Sequence, residues 1–207
     1  MTTAAKIISI IFHPLFMVTY LLTVFALYFP SALDPLNTEM HFDFILTISG
    51  ITFLMPAILI SLFKMFGTVK SVHMVERKER IMPFFFMAIM YTAIIFMLSS
   101  QQRISLDDNL LKFLIITDAL VLVSFITTLF FKVSVHSLSI WGVIGILLPL
   151  NKISEDGALF YPLVMAFVVA GLVMSSRLKL KVHSSREVWS GAILGIVTSY
   201  TAMLFLF

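Results

Sequence analysis

Seven apolar runs divide this chain, 7–33, 44–63, 81–102, 113–131, 133–151, 157–176 and 188–207, each 19 residues or longer. Only 113–131 contains an acid, Asp118. At about 1.5 Å of rise per residue, roughly 20 helical residues cross the ~30 Å hydrocarbon core of a bilayer, so each run is long enough to span one. Backbone in lipid must satisfy its own hydrogen bonds, which leaves helices or a closed barrel. No ten-residue alternating segments point to a barrel. With 60% of residues hydrophobic and 12% charged, the composition excludes an ordinary soluble domain. The expectation is an all-α, polytopic membrane helical bundle of about seven transmembrane helices, forming one integral-membrane domain over 1–207 with short connections and no appended soluble domain. The first run follows Lys6, is too long for a signal-peptide core and lacks a small-residue cleavage site, so it reads as a retained helix. The chain has no cysteine, which removes disulfides and thiolate metal sites.

Against this background the stretch from Ser176 to Glu187 stands out, with four cations, a histidine and one carboxylate within twelve residues. So charged a loop between two greasy segments points to an anionic ligand, of which a phosphate fits best. Arg177 offers a planar fork of donors for phosphate oxygens. His183 is a nucleophile or proton carrier, and Glu187, four residues on, stands one helical turn above it if the next helix has begun. A carboxylate there holds one ring nitrogen and aims the other.

The pattern Ser176-Arg177, five residues, His183, three residues, acid resembles the third signature of the type 2 phosphatidic acid phosphatase family. These are integral-membrane lipid phosphate phosphatases whose active site is related to that of the vanadium haloperoxidases. The family usually has Asp at the position of Glu187. Its first signature is Lys, six residues, Arg, Pro. Lys70 and Arg77 have that spacing, but Lys78 replaces the proline and Pro83 follows Arg80 by three, so Arg77 and Arg80 both remain candidates. Its second signature, Pro-Ser-Gly-His, aligns with 133–136, where Ser134 and His136 are kept and Val133 and Val135 replace Pro and Gly. The resemblance covers about 65–200 as a six-helix core, with the first helix outside it.

The resemblance implies phosphoryl transfer without metal or other cofactor, through a phosphohistidine. His183 would attack phosphorus with Glu187 holding its tautomer, and His136 would protonate the leaving alkoxide and then activate water. Lys70, Arg77 or Arg80, Ser134 and Arg177 would bind phosphate. The expected partners are a lipid phosphomonoester or diphosphate, of the phosphatidic acid, phosphatidylglycerol phosphate or polyprenyl diphosphate type, and the bilayer itself, with no nucleic acid. A phosphotransferase of the same family, a non-catalytic lipid-phosphate binder, and an unrelated transporter using Asp118 and His13 stay open. His13, beside Pro14, reads as a buried or interfacial polar contact, and Asp118 as functional or as a hydrogen bond to a neighbouring helix.

Two helices separate each signature from the next, so all three return to one face. That face collects eleven cations and the other only Arg103, Lys112 and Lys152, together with seven acids. The positive-inside rule puts the signatures in the cytoplasm, whereas many members of the family work on the outer face. Short loops point to a bacterial inner membrane.

Overall fold

The computed structural model describes residues 2–70, 74, 76–100, 105, 107–154 and 157–207. Arg103, Glu155 and Asp156, counted in the charge partition, lie outside the described residues. Among the described residues nine α-helices run in order: α1 Thr2–Ile11, α2 Met17–Tyr28, α3 His41–Ser49, α4 Met55–Met65, α5 Arg77–Ser99, α6 Asn109–Phe130, α7 Val135–Ile153, α8 Phe160–Lys179 and α9 Ser185–Leu206. They build seven segments long and apolar enough to cross a membrane, because α1 with α2 (Thr2–Tyr28) and α3 with α4 (Thr38–Met65) each form one span. No strand occurs among the described residues. The protein is an integral-membrane helical bundle.

Both composite spans are interrupted at proline. A mid-helix proline removes one hydrogen bond and its ring crowds the preceding turn. In the second span the strain expected at Pro56 is taken up by a π-helical stretch, Gly50–Leu54, from which α4 resumes. In the first span the departure from expectation is larger. Instead of one continuous helix, α1 stops at Ile11, His13 is extended (φ −70°, ψ 141°), and a short 3-10 turn, Pro14–Phe16, leads into α2.

The central element is α7, the most buried of the spans. It packs most extensively against α9, and also meets α8, while α5 pairs with α6 and α1 lies on α8. Close approach of α7 and α9 depends on small residues, as the Gly191 and Gly195 spacing predicts. A Cβ at Gly191 would stand 2.5 Å from the Ser134 carbonyl oxygen, and one at Gly195 would press on the Leu138 carbonyl. Phenylalanines and methionines of α5, such as Phe85, Phe96 and Met97, point outward, as a lipid-facing surface requires.

At one end of the bundle the loop after α2 touches the start of α6, where Asn109 Nδ2 donates to the Ser31 carbonyl at 3.0 Å. At the opposite end the start of α5, the start of α7 and the α8–α9 connection come together. Arg80 Nη1 donates to the Val133 carbonyl (3.2 Å), Lys132 Nζ to the Val182 carbonyl (3.1 Å) and Ser134 N–H to the Glu187 carbonyl (2.9 Å). The three motif-bearing segments therefore share one face.

Candidate active site

The site begins with the turn between α8 and α9. Lys181 takes a left-handed conformation (φ 54°), which reverses the chain after α8. Ser184 then caps α9, its Oγ accepting from the Glu187 N–H at 3.3 Å. Ser184-Ser-Arg-Glu187 is a capping-box sequence, in which the acid ordinarily reaches back to the cap residue's own amide. Here the carboxylate turns to His183 instead. His183 Nδ1–H donates to Glu187 Oε2 at 2.6 Å, across the predicted i, i+4 turn. Lys132 Nζ lies 3.7 Å from the same oxygen and clamps it from the α6–α7 connection.

His183 is 7% exposed. Its pKa is lowered from 6.5 to about 4, chiefly by burial; Arg80, Arg177 and Lys132 push the same way, and the hydrogen bond to Glu187 opposes them. The ring is therefore neutral at pH 7. With Nδ1–H held by the carboxylate, the lone pair is on Nε2, the form a nucleophilic imidazole needs.

Arg80 projects from the first turns of α5 and is almost fully buried. Its Nε–H donates to the Met74 carbonyl at 2.7 Å and its Nη1–H to the Val133 carbonyl. Two anchored donors fix the plane of the guanidinium and leave its remaining N–H groups for another acceptor. Arg177 stands in the last turn of α8, where the helix dipole favours a cation. Its Nε is buried with no hydrogen-bond partner among the described residues.

Arg80, Arg177, His136 and His183 line one cavity of about 860 Å³, together with Lys6 and His13 from the first span. Away from these groups the walls are mostly apolar, including Met17, Leu21, Phe84, Met87, Val121 and Ile146, with a few hydroxyls such as Thr117 and Ser124 among them. A cationic end beside a mostly apolar interior matches an amphiphile with an anionic head.

Three expected phosphate ligands are placed elsewhere. Lys70 is solvent-exposed and its ammonium pairs with Glu76 at 2.9 Å. Arg77 turns outward, its Nη1–H donating to the Leu129 carbonyl at 2.8 Å. The two share a helix face, and depth separates them: Arg77 is the first residue of α5, while Arg80, nearly one turn further in, reaches the Val133 carbonyl and the cavity. Ser134 is fully buried, and its Oγ accepts from the Ser137 N–H (3.4 Å) and Oγ–H (3.0 Å) as the cap of α7. None of the three lines the cavity. Val135, at the position of the family's glycine, does.

Sequence reading passed over the first span as a contributor. His13 packs edge-to-face on His136, with ring centroids 5.1 Å apart and planes at 82°. His136 Nε2–H donates to the Ser9 carbonyl at 3.1 Å. The His13-Pro14 pair was the available signal, because a proline within a span frees backbone carbonyls for side-chain donors. Among the described residues no three His, Cys, Asp or Glu side chains are grouped as metal ligands.

The fold and this cavity together define a polytopic helical membrane protein with a buried site that gathers arginine and histidine side chains. No protein-family model, curated protein or solved structure matches the chain.

Proposed function

We propose that the protein is a membrane lipid phosphate phosphatase that hydrolyses a lipid phosphomonoester or diphosphate through a phosphohistidine. The observation that carries this reading is the His183–Glu187 pair at 2.6 Å, with His183 lining a cavity that Arg80, Arg177 and His136 also line. A neutral imidazole, a carboxylate behind it and two arginines beside it form the arrangement that in-line attack on phosphorus requires. The apolar walls supply room for the lipid chain inside the bundle.

In this mechanism Nε2 of His183 forms a bond to phosphorus as the phosphorus–oxygen bond to the lipid breaks. Glu187 stabilises the positive charge left on the ring. Arg80 and Arg177 hold the non-bridging oxygens, where charge gathers in the transition state. His136 takes the proton of the monoanionic head group, gives it to the leaving alkoxide, then takes one from a water that attacks phosphorus and breaks the phosphorus–nitrogen bond, and returns that proton to the departing phosphate. Inorganic phosphate leaves, and His183 returns to its neutral form.

The charge asymmetry supports a site open to the cytoplasm, and the short connections fit a bacterial inner membrane. A second reading, a lipid-phosphate binder without turnover, draws on the placement of Lys70, Arg77 and Ser134 outside the cavity, which leaves fewer groups on the phosphate than the family pattern implies.

Phosphate release by purified protein in detergent with EDTA separates the two. The panel contains phosphatidic acid, phosphatidylglycerol phosphate and a polyprenyl diphosphate. Release that His183→Ala abolishes is the expected result, and equal silence of wild type and variant on every lipid would leave the binder. A phosphoryl group found on an added alcohol instead of in solution points to phosphotransfer.

A further inference from the structure

The first span lies outside the motif-bearing core, yet it touches His136 twice. In an unbroken helix the Ser9 carbonyl would accept from the His13 N–H four residues on, and the Ile10 carbonyl from residue 14. Pro14 has no N–H, and His13 is extended. The last regular bond of this turn runs from Phe12 N–H to the Ile8 carbonyl at 2.9 Å. Two of the carbonyls beyond it are answered by side chains. Tyr20 O–H donates to the Ile11 carbonyl at 2.8 Å, and His136 Nε2–H to the Ser9 carbonyl at 3.1 Å, across 127 residues of chain.

We infer that the break at His13-Pro14 is a positioning device for the site: the freed Ser9 carbonyl, with the His13 ring as a lateral stop, holds His136 as the Nε2–H tautomer and leaves Nδ1 as the atom that carries the transferred proton. A carbonyl oxygen only accepts, so the bond itself sets where the hydrogen is. Nδ1 has no protein partner among the described residues, and the ring lines the cavity. The perpendicular His13 ring limits rotation of the imidazole about its single anchor. The two histidines are thus held in opposite tautomers, His183 by a carboxylate at Nδ1 and His136 by a carbonyl at Nε2. The asymmetry suits their parts. A phosphohistidine gains a full positive charge and needs an anion behind it, whereas a proton carrier needs orientation. The catalytic half of this inference rests on the phosphatase reading; the tautomer does not.

The test takes full-length protein in detergent with ¹⁵N-labelled histidine and assigns His136 by comparison with His136→Gln. In the wild type the expected spectrum at neutral pH shows Nε2 protonated and Nδ1 bare. An Nδ1–H tautomer overturns the inference without any variant. Pro14→Ala restores the backbone donor at 14 and lets α1 continue, so that His13 N–H competes for the Ser9 carbonyl. Expected are mixed His136 tautomers and a kcat roughly 10- to 100-fold lower with KM within about two-fold, the signature of a misaimed group in a binding site left intact. Unchanged kcat alongside an altered tautomer overturns the catalytic half. A wild type with the Nε2–H tautomer that releases phosphate from no lipid upholds the positioning and sinks the phosphatase reading instead.

Discussion

At the scale of single residues, the chemistry turns on how one imidazole is kept neutral and aimed. Burial and three neighbouring cations lower the pKa of His183 to about 4, against the pull of Glu187. The free protein therefore keeps the proposed nucleophile unprotonated far below the ordinary 6.5. Where His183 governs it, the acid limb of kcat/KM is expected near pH 4, and a pH–rate profile that falls off at 6.5 contradicts this. The same shift acts on stability. An unfolded chain binds this proton more readily than the native one, so stability present above about 6.5 is lost as pH falls from there through about 4. Replacing the anchor, Glu187→Gln keeps the shape but removes the charge behind the ring, and kcat is expected to fall about 10²- to 10⁴-fold with modest change in KM. Arg80→Ala and Arg77→Ala offer a sharper contrast. The first removes a buried guanidinium from the cavity and should cut kcat/KM by roughly 10²-fold, while the second removes an exposed contact to Leu129 and should leave it within about three-fold.

At the scale of helices, the contact of α9 with α7 sets the distance between the two halves of the site. Gly191 lies against the Ser134 carbonyl, and Ser134 N–H in turn bonds the Glu187 carbonyl. The glycine, the cap of α7 and the residue that anchors His183 are therefore one mechanical unit. Gly191→Val drives a branched side chain into backbone and should destabilise the protein by about 1–3 kcal/mol, read as a lower Tm in detergent, with activity falling as well. Between α6 and α5, Asp118 Oδ2 accepts from Thr92 Oγ at 2.8 Å. The acid does not line the large cavity. The helix-to-helix bond expected as one reading of Asp118 is present. Thr92→Val removes the donor and leaves a buried carboxyl with one partner fewer, at a cost of about 1 kcal/mol, with phosphate release retained.

At the scale of the whole molecule, seven spans bring three separated segments of the chain to one end of the bundle and leave the loop after α2 at the other. The absence of cysteine makes sidedness directly testable. Arg186→Cys, exposed beside the α8–α9 turn, should react with a membrane-impermeant thiol reagent only when the cytoplasmic face is open, and Asn37→Cys only from outside. The reverse pattern overturns the cytoplasmic assignment. A cavity of about 860 Å³ lined by both arginines and by Phe84, Met87 and Val121 would take up much of the chain of the proposed lipid substrate between helices.

By itself, the sequence determined the spans and the closest pair in the site. Both rest on short-range physics: membrane insertion sums apolarity over about 20 neighbouring residues, and an acid four positions after a histidine is on its face of any helix that includes both. Counting crossings was enough to bring the three motifs to one end, because each span reverses the chain. What remained belonged to tertiary structure. Arg80 was chosen over Arg77 by which turn of α5 packs against the Val133 carbonyl, and Ser134 was withdrawn from the cavity because the end of α7 needed its hydroxyl as a cap. The contribution of the first span was decided the same way. No periodicity or spacing relates residue 9 to residue 136, and only packing α1 on α8, with the turn after it against α7, places a carbonyl freed by the break at His13-Pro14 within 3.1 Å of an imidazole.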